Sequence, residues 1–108
     1  MKKLLLATLI AFGSTVNAQI VVTHFNAEWN DPNKVAYIGK LTDCDIVYVD
    51  IAKSPKLQKK HEIVIVPTVV IFKDGEEVKR FQADISFSMV ATRKDMQASI
   101  DELLMSDF

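Results

Sequence analysis

Four short runs of β-branched and aromatic residues constrain the fold of this chain most strongly. They lie at about residues 19–25, 46–51, 68–72 and 78–82, and each is typical of a β-strand. The turn Lys73-Asp74-Gly75-Glu76 joins the last two runs, so these form a β-hairpin. The first two runs are separated by a long connection, which requires a crossover and therefore parallel strands. The sequence predicts a mixed four-stranded sheet.

Three segments between and after the strands carry helix signals. Residues 30–33 (Asn-Asp-Pro-Asn) predict a helix start, because Asn and Asp can cap a helix and Pro is favoured at its first position. The apolar side of that helix would comprise Val35, Tyr37, Ile38 and Leu41. Ser54-Pro55 opens a lysine-rich helix to about His61, with Leu57 as its strong apolar anchor. Thr92 and Asp95 resemble a capping box before a final amphipathic helix. The predicted order is β-α-β-α-β-β-α, an α/β fold.

The first eighteen residues have the order of a secretory signal peptide. Lys2 and Lys3 precede an apolar run at residues 4–12, and Ala18 stands where cleavage before Gln19 is expected. We therefore expect a signal peptide at 1–18, a mature domain at 19–108 and a periplasmic or secreted location. The alternative is that residues 1–18 form a strand or helix of the domain itself. The apolar run is shorter than the ~20 residues that span a bilayer, so no stable membrane span is expected after cleavage.

Charge and cysteine content exclude some functions. The net charge is −1, and removal of Lys2 and Lys3 leaves 11 basic residues against 14 acidic ones, so no basic field exists to bind nucleic acid. Cys44 is the single cysteine of the chain, so an internal disulfide is excluded. The core must therefore stabilise the domain by packing alone.

Three features occur together in the order that a known family shows. Residues 25–29 (Phe-Asn-Ala-Glu-Trp) follow a strand, Pro32 and Lys34 stand at the start of the next predicted helix, and residues 66–75 read Val-Pro-Thr-Val-Val-Ile-Phe-Lys-Asp-Gly. With these features the chain resembles thioredoxin-fold proteins. The resemblance implies a thioredoxin-like fold over residues 19–108, without the strand and helix that usually open it.

The reactive motif of that family is replaced here. In the family, the tryptophan precedes Cys-Gly-Pro-Cys, whereas the four positions after Trp29 are Asn30, Asp31, Pro32 and Asn33. A carboxamide cannot attack a disulfide, so no catalytic residue and no disulfide reductase activity of the thioredoxin type are expected at these positions. Asn30 and Asp31 could serve as helix caps, or Asn30 and Asn33 could form a binding surface beside Trp29.

The resemblance carries over to three further positions. His24 occupies the place of a buried carboxylate of the family, and we interpret it as a histidine that is hydrogen-bonded in or near the core, with titration near neutrality as the alternative. Pro67 matches the proline of the family that follows a cis peptide bond. The resemblance then implies that the backbone of Val66 can pair with an extended peptide, as in β-strand addition.

Cys44 lies between Asp43 and Asp45, away from the motif. Two adjacent carboxylates disfavour the thiolate, so a structural thiol is favoured over a disulfide to another chain or a catalytic role. His24 and His61 are too few and too far apart in the sequence to form a metal site with Cys44, and no cofactor is expected.

The leading hypothesis is a redox-inactive, exported domain that binds a protein or peptide near Trp29, Asn30, Asn33, Val66 and Pro67. Two alternatives stay open: an oxidoreductase that acts as a monothiol through Cys44 or with the thiol of a partner, and a structural homodimer. The alternating apolar stretch at residues 84–91 could be an edge strand, part of the partner site or core filling.

Overall fold

A mixed four-stranded sheet organises the computed structural model, which describes residues 19–106. The strands are β1 (Ile20–Asn26), β2 (Asp45–Asp50), β3 (Thr68–Lys73) and β4 (Glu76–Gln82), in the spatial order β2-β1-β3-β4. β1 is parallel to β2 and antiparallel to β3, and β3 and β4 form the predicted hairpin. The predicted mixed sheet is confirmed. The helices are α1 (Pro55–Lys60) and α2 (Arg93–Met105), and no helix within the described residues is both long and apolar enough to cross a membrane.

Side chains alternate between the two faces of this sheet, and each face carries its own apolar cluster. The first cluster joins alternate residues of β1 and β3 to the inner side of α2 and to the crossover, and comprises Ile20, Val22, Val35, Ile38, Leu41, Val69, Ile71, Met96 and Ile100. The second is smaller and comprises Phe25, Ala27, Ile63, Val66 and Val70. β1 and β3 lie in the middle of the sheet and contribute to both clusters, which explains their nearly continuous burial.

α2 begins with the capping box that the sequence predicts. The hydroxyl of Thr92 accepts a hydrogen bond from the backbone N–H of Asp95 at 3.1 Å, and the Asp95 carboxylate accepts one from the backbone N–H of Thr92 at 2.8 Å. Two N–H groups that a helix start leaves without a partner are thereby satisfied. Met96 and Ile100, one turn apart, then lie fully buried against the sheet.

The α-helix predicted to start at residues 30–33 is wrong. The crossover instead contains two short 3-10 helices, Glu28–Asn33 and Ile38–Lys40. Two features stop an α-helix here: Lys34 is extended, with ψ of 156°, and the backbone N–H of Val35 donates to Nε2 of His24 at 3.1 Å. That N–H is therefore engaged by a side chain of the sheet instead of a carbonyl of its own segment. The four residues predicted to form the apolar side still face the core, although they are not on an α-helix: Val35, Ile38 and Leu41 are buried and Tyr37 is half-buried.

α1 forms as predicted, but it is held mainly by residues other than its predicted anchor. Leu57 stays partly exposed. The ring of His61, directly after α1, contacts both Phe25 and Phe72, with 5.4 Å between ring centroids in each case. Arg80 of β4 donates to the carbonyl oxygens of His61 and Glu62 at 2.7 and 3.1 Å. The end of α1 is thus fixed to the sheet by aromatic contacts and by one arginine.

Candidate functional site

Asn30, at the first replaced motif position, is buried and its side chain does not cap a helix. Its Nδ2 group donates to Oδ1 of Asn26 at 3.1 Å and to the carbonyl oxygen of Val66 at 3.2 Å, and lies 3.5 Å from the carbonyl oxygen of Phe87. Its Oδ1 accepts a hydrogen bond from Nδ2 of Asn33 at 2.9 Å. One carboxamide therefore connects the end of β1, the segment before β3 and the loop after β4. The interpretation of Asn30 as a helix cap is wrong, because these partners take up its side chain.

Val66 and Pro67, which the resemblance places at the site, lie beneath its surface. Both are buried, and the peptide bond between them is cis. The backbone of Val66 is predicted to pair with an extended peptide, but its carbonyl already accepts a hydrogen bond from Asn30. The Pro67 carbonyl accepts one from the N–H of Ala83 at 3.0 Å. Of the predicted site residues, Asn30, Asn33 and Val66 are brought together by hydrogen bonds, and Trp29 and Asn33 are exposed.

Phe87 belongs to this site, although the sequence pattern did not single it out. Its ring contacts that of Trp29 edge to face, with centroids 5.4 Å apart and an interplanar angle of 86°. Trp29 is 64% exposed and Phe87 is 40% exposed. The only signal for Phe87 was the apolar alternation of residues 84–91, for which a partner site was one of three interpretations.

A tight turn at residues 84–88 holds Phe87, so the edge-strand interpretation of that stretch is wrong. Oδ1 of Asp84 accepts from the N–H groups of Ser86 and Ser88 at 2.9 and 3.2 Å, and from the hydroxyl of Ser86. These hydrogen bonds lower the pKa of Asp84, the Ser86 hydroxyl contributing most. Phe87 has a φ of 64°, in the left-handed region that a non-glycine residue rarely adopts. The turn thus fixes the backbone of an exposed aromatic residue.

His24 confirms the interpretation as a hydrogen-bonded core residue. It is buried, its Nε2 accepts from Val35, and its ring contacts Tyr48 at 5.6 Å between centroids. Burial lowers the pKa of His24, because the charged imidazolium is poorly solvated there. The neutral form is also the one that can accept the Val35 hydrogen bond.

A cleft of about 790 Å³ opens beside His24, on the side of the crossover where an α-helix was expected. Tyr48 and Val49 of β2 line one wall, and charged residues of both signs surround it, namely Glu28, Asp31, Lys34, Asp50 and Lys53. Within residues 19–106, no three His, Cys, Asp or Glu side chains are grouped so as to hold a metal ion. The cleft therefore offers charges of both signs around an aromatic wall.

Cys44 lies apart from these residues. Its half-buried side chain packs against the first apolar cluster, and it forms no disulfide. Burial raises the pKa of the Cys44 thiol, and the carboxylates of Asp45 and Asp43 raise it further. A thiol with a raised pKa is a poor nucleophile at neutral pH.

The lowered pKa of His24 predicts a pH dependence of stability. As the pH falls below about 6.5, the ordinary pKa of histidine, the unfolded chain binds a proton more readily than the folded protein does. The stability associated with neutral His24 is therefore complete above that pH and declines below it. We expect the free energy of unfolding in urea to fall between pH 7.5 and pH 5.

Substitution isolates the contribution of His24. In a His24→Gln variant the decline should be shallower, whatever the absolute stability of the variant. Burial also lowers the pKa of His61, so His61 contributes to the pH dependence in the same direction. A His61→Gln variant measures that contribution separately. Equal pH slopes in the wild type and in His24→Gln would contradict this assignment.

Comparisons with known proteins agree with this architecture. The family model described as Thioredoxin matches residues 4–95. The thioredoxin of Chlamydia trachomatis is 33% identical over 75 residues, which covers 64% of this chain and 74% of that protein. The thioredoxin of Staphylococcus epidermidis is 30% identical over 79 residues, covering 64% and 73% of the two chains.

Solved structures show the same fold at lower identity. Thioredoxin-2, described as a component of malaria parasite protein secretion machinery, matches with a TM-score of 0.64 and 20% identity, over 83% of this chain and 88% of that one. Thioredoxin 1 from Thermosipho africanus matches with a TM-score of 0.61 and 22% identity, over 81% and 97%. Because the family model matches residues 4–95, which is most of the chain, and the sheet agrees with it, this chain belongs to the thioredoxin family.

Proposed function

We propose that this thioredoxin-family domain is exported, carries out no dithiol exchange, and binds a protein or peptide at the surface around Trp29. The observation that carries the proposal is the hydrogen bonding of Asn30. At the position where the family has its first cysteine, the chain has a buried carboxamide that joins three segments. Trp29, Pro32 and Pro67 of the family pattern are kept, whereas the cysteine nucleophile is absent.

The chemistry of the remaining groups supports the absence of dithiol exchange. Exchange within one chain needs an attacking thiolate and a second thiol that resolves the mixed disulfide. This chain has one cysteine, and Cys44 is half-buried with a raised pKa. The alternative of a monothiol oxidoreductase would require Cys44 to react from the edge of the apolar cluster between two carboxylates, an environment that disfavours the thiolate.

The mode of binding follows from which groups are exposed. A peptide that paired with the Val66 carbonyl would have to share it with the Asn30 side chain. The exposed side chains at the site are Trp29, Asn33 and Phe87. Contact through side chains, centred on Trp29, is therefore favoured over addition of a strand at Val66.

A role in assembly has a parallel among the structural neighbours. The malaria parasite thioredoxin-2 is described as a component of protein secretion machinery. By analogy, the surface around Trp29 would hold this domain to another protein of the cell envelope or the secreted fraction.

Partner capture tests the binding proposal. The full-length chain, tagged at its C-terminus, is expressed in a bacterial host, and the envelope fraction is passed over wild-type, Trp29→Ala and Tyr48→Ala baits. Tyr48 is the matched control, since it is 63% exposed against 64% for Trp29 and lies in the cleft. We expect a protein that the wild type and Tyr48→Ala retain and that Trp29→Ala loses. Equal retention by all three baits, or no retained protein, would contradict the proposed site.

The same preparation tests export. Mass spectrometry of the bait should show Gln19 as the first residue. Because the family match also spans residues 4–18, an intact N-terminus on a cytoplasmic protein would instead assign that segment to the domain.

Disulfide reduction tests the redox part of the proposal. The wild type should reduce insulin with dithiothreitol no faster than buffer does. Catalysis that disappears in a Cys44→Ser variant would establish the monothiol alternative and contradict the proposal.

A further inference from the structure

Trp29 and Phe87, which are in contact, and the nearby Ile85 of the same turn as Phe87 are exposed apolar side chains that we call the aromatic rim. The two rings are in edge-to-face contact, and Ile85, in the same turn as Phe87, is 95% exposed. Large apolar side chains that are both exposed and grouped are typical of interaction surfaces. Aromatic residues at such positions supply much of the binding energy of protein interfaces.

The backbone of the rim is held in place before any partner binds. Asp84 closes the turn through its hydrogen bonds to Ser86 and Ser88, and the N–H of Phe87 donates to the Asp84 carbonyl at 3.0 Å. The carbonyl of Phe87 faces Asn30. A fixed backbone lowers the entropy that is lost on binding, so the rim is suited to recognise one kind of side chain.

The charges next to the rim are mostly negative. Glu28 and Asp31 belong to the same 3-10 helix as Trp29, and Asp84 belongs to the turn that carries Phe87. Lys34 offsets Asp31, with 4.0 Å between Nζ and Oδ2. Within residues 19–106, neither Glu28 nor Asp84 forms an ion pair with a lysine or arginine.

The exposed aromatic rings, like the acidic residues, favour a positively charged partner. The face of a tryptophan ring attracts Lys and Arg side chains, because the ring carries negative charge density on its face. The acidic residues and the ring face therefore select for cations, whereas the apolar area selects for aliphatic or aromatic side chains.

We propose that the aromatic rim binds a protein segment in which an aliphatic or aromatic side chain is flanked by lysine or arginine, and that Phe87 determines this specificity. The inference rests on the proposed function and names the class of partner for that site. The apolar side chain packs against the exposed sides of the Trp29 and Phe87 rings, which stay in contact with each other, and the flanking cations lie against Glu28 and Asp84.

The intrinsic fluorescence of Trp29 reports on this site directly, because Trp29 is the single tryptophan of the chain. Three synthetic peptides serve as probes: Gly-Lys-Arg-Leu-Phe-Lys-Gly, the same peptide with glutamate at each basic position, and the same peptide with serine in place of Leu and Phe. The first peptide should bind at least about tenfold more tightly than either of the others, the ratio expected when one anchor side chain is lost. Its affinity should fall when the salt concentration is raised from 50 to 300 mM, because exposed charges are screened.

Variants of the rim distinguish specificity from folding. Phe87→Ser should weaken binding of the basic peptide by about tenfold, and Ile85→Ser, at a position that is almost fully exposed, should weaken it in the same direction. Val78→Ser is the matched control, since Val78 is 43% exposed on β4 against 40% for Phe87, and it should leave the affinity unchanged. Glu28→Gln should reduce the salt dependence.

The outcomes separate this inference from the proposed function. Equal affinity for the basic and acidic peptides, or equal affinity of the Phe87→Ser and Val78→Ser variants, would overturn the inference. The inference would also be overturned if none of the peptides changed the Trp29 fluorescence while capture from the envelope fraction still depended on Trp29. In that case the proposed function would stand. If the wild type bound none of the peptides and captured no partner, both the inference and the proposed function would be overturned.

Discussion

The hydrogen bonding of the Asn30 carboxamide is the constraint on which the site depends. Its two N–H hydrogens and its carbonyl oxygen serve Asn26, Val66 and Asn33, and its Nδ2 group lies beside the carbonyl of Phe87. A buried polar group that loses its partner costs about 1–3 kcal/mol, which applies to the buried contacts of Asn30 with Asn26 and Val66; at the part-buried contact with the exposed Asn33, water can replace the lost donor. In the family this position belongs to a reactive thiol, whose chemistry requires that it be free to attack. Here the side chain has a structural role that excludes such freedom.

A second side-chain hydrogen bond, between His24 and the backbone N–H of Val35, lies in the crossover between β1 and β2. His24 accepts the N–H of Val35, so this N–H cannot continue an α-helix from the motif. The crossover has one 3-10 helix that contains the motif, Glu28–Asn33, and one after it, Ile38–Lys40, and a cleft lies beside Tyr48. Trp29 lies in the first of these 3-10 helices, is exposed, and contacts the ring of Phe87.

Much of the architecture could be predicted from the sequence, because the signals were local and repeated. The four strands follow from β-branched runs, the hairpin from its Asp-Gly turn, and α2 from the Thr92–Asp95 box, all confirmed. The predictions failed where tertiary contacts override a local signal. Residues 30–33 have good capping chemistry, yet the side chain of Asn30 has partners as far away in the sequence as Val66 and Phe87.

Phe87 shows the same limit for the site itself. Its contact with Trp29 depends on the turn that Asp84 closes and on a left-handed backbone conformation, and neither follows from the alternation of apolar residues at 84–91. Likewise, the anchoring of α1 by His61 required knowing that Phe25 and Phe72, from two adjacent strands, are on the same sheet face within reach of one ring. The residues of the replaced motif could be located from the resemblance, but their hydrogen bonds could not.

The most direct test of this account compares the free energies of unfolding in urea of the wild type, Asn30→Ala and Asn33→Ala. Both changes remove an asparagine of the replaced motif, but Asn30 is buried with several partners whereas Asn33 is exposed with one. We predict a loss of about 1–3 kcal/mol for Asn30→Ala and less than about 1 kcal/mol for Asn33→Ala. Equal losses in the two variants, or an Asn30→Ala variant as stable as the wild type, would contradict the claim that this carboxamide holds the site together.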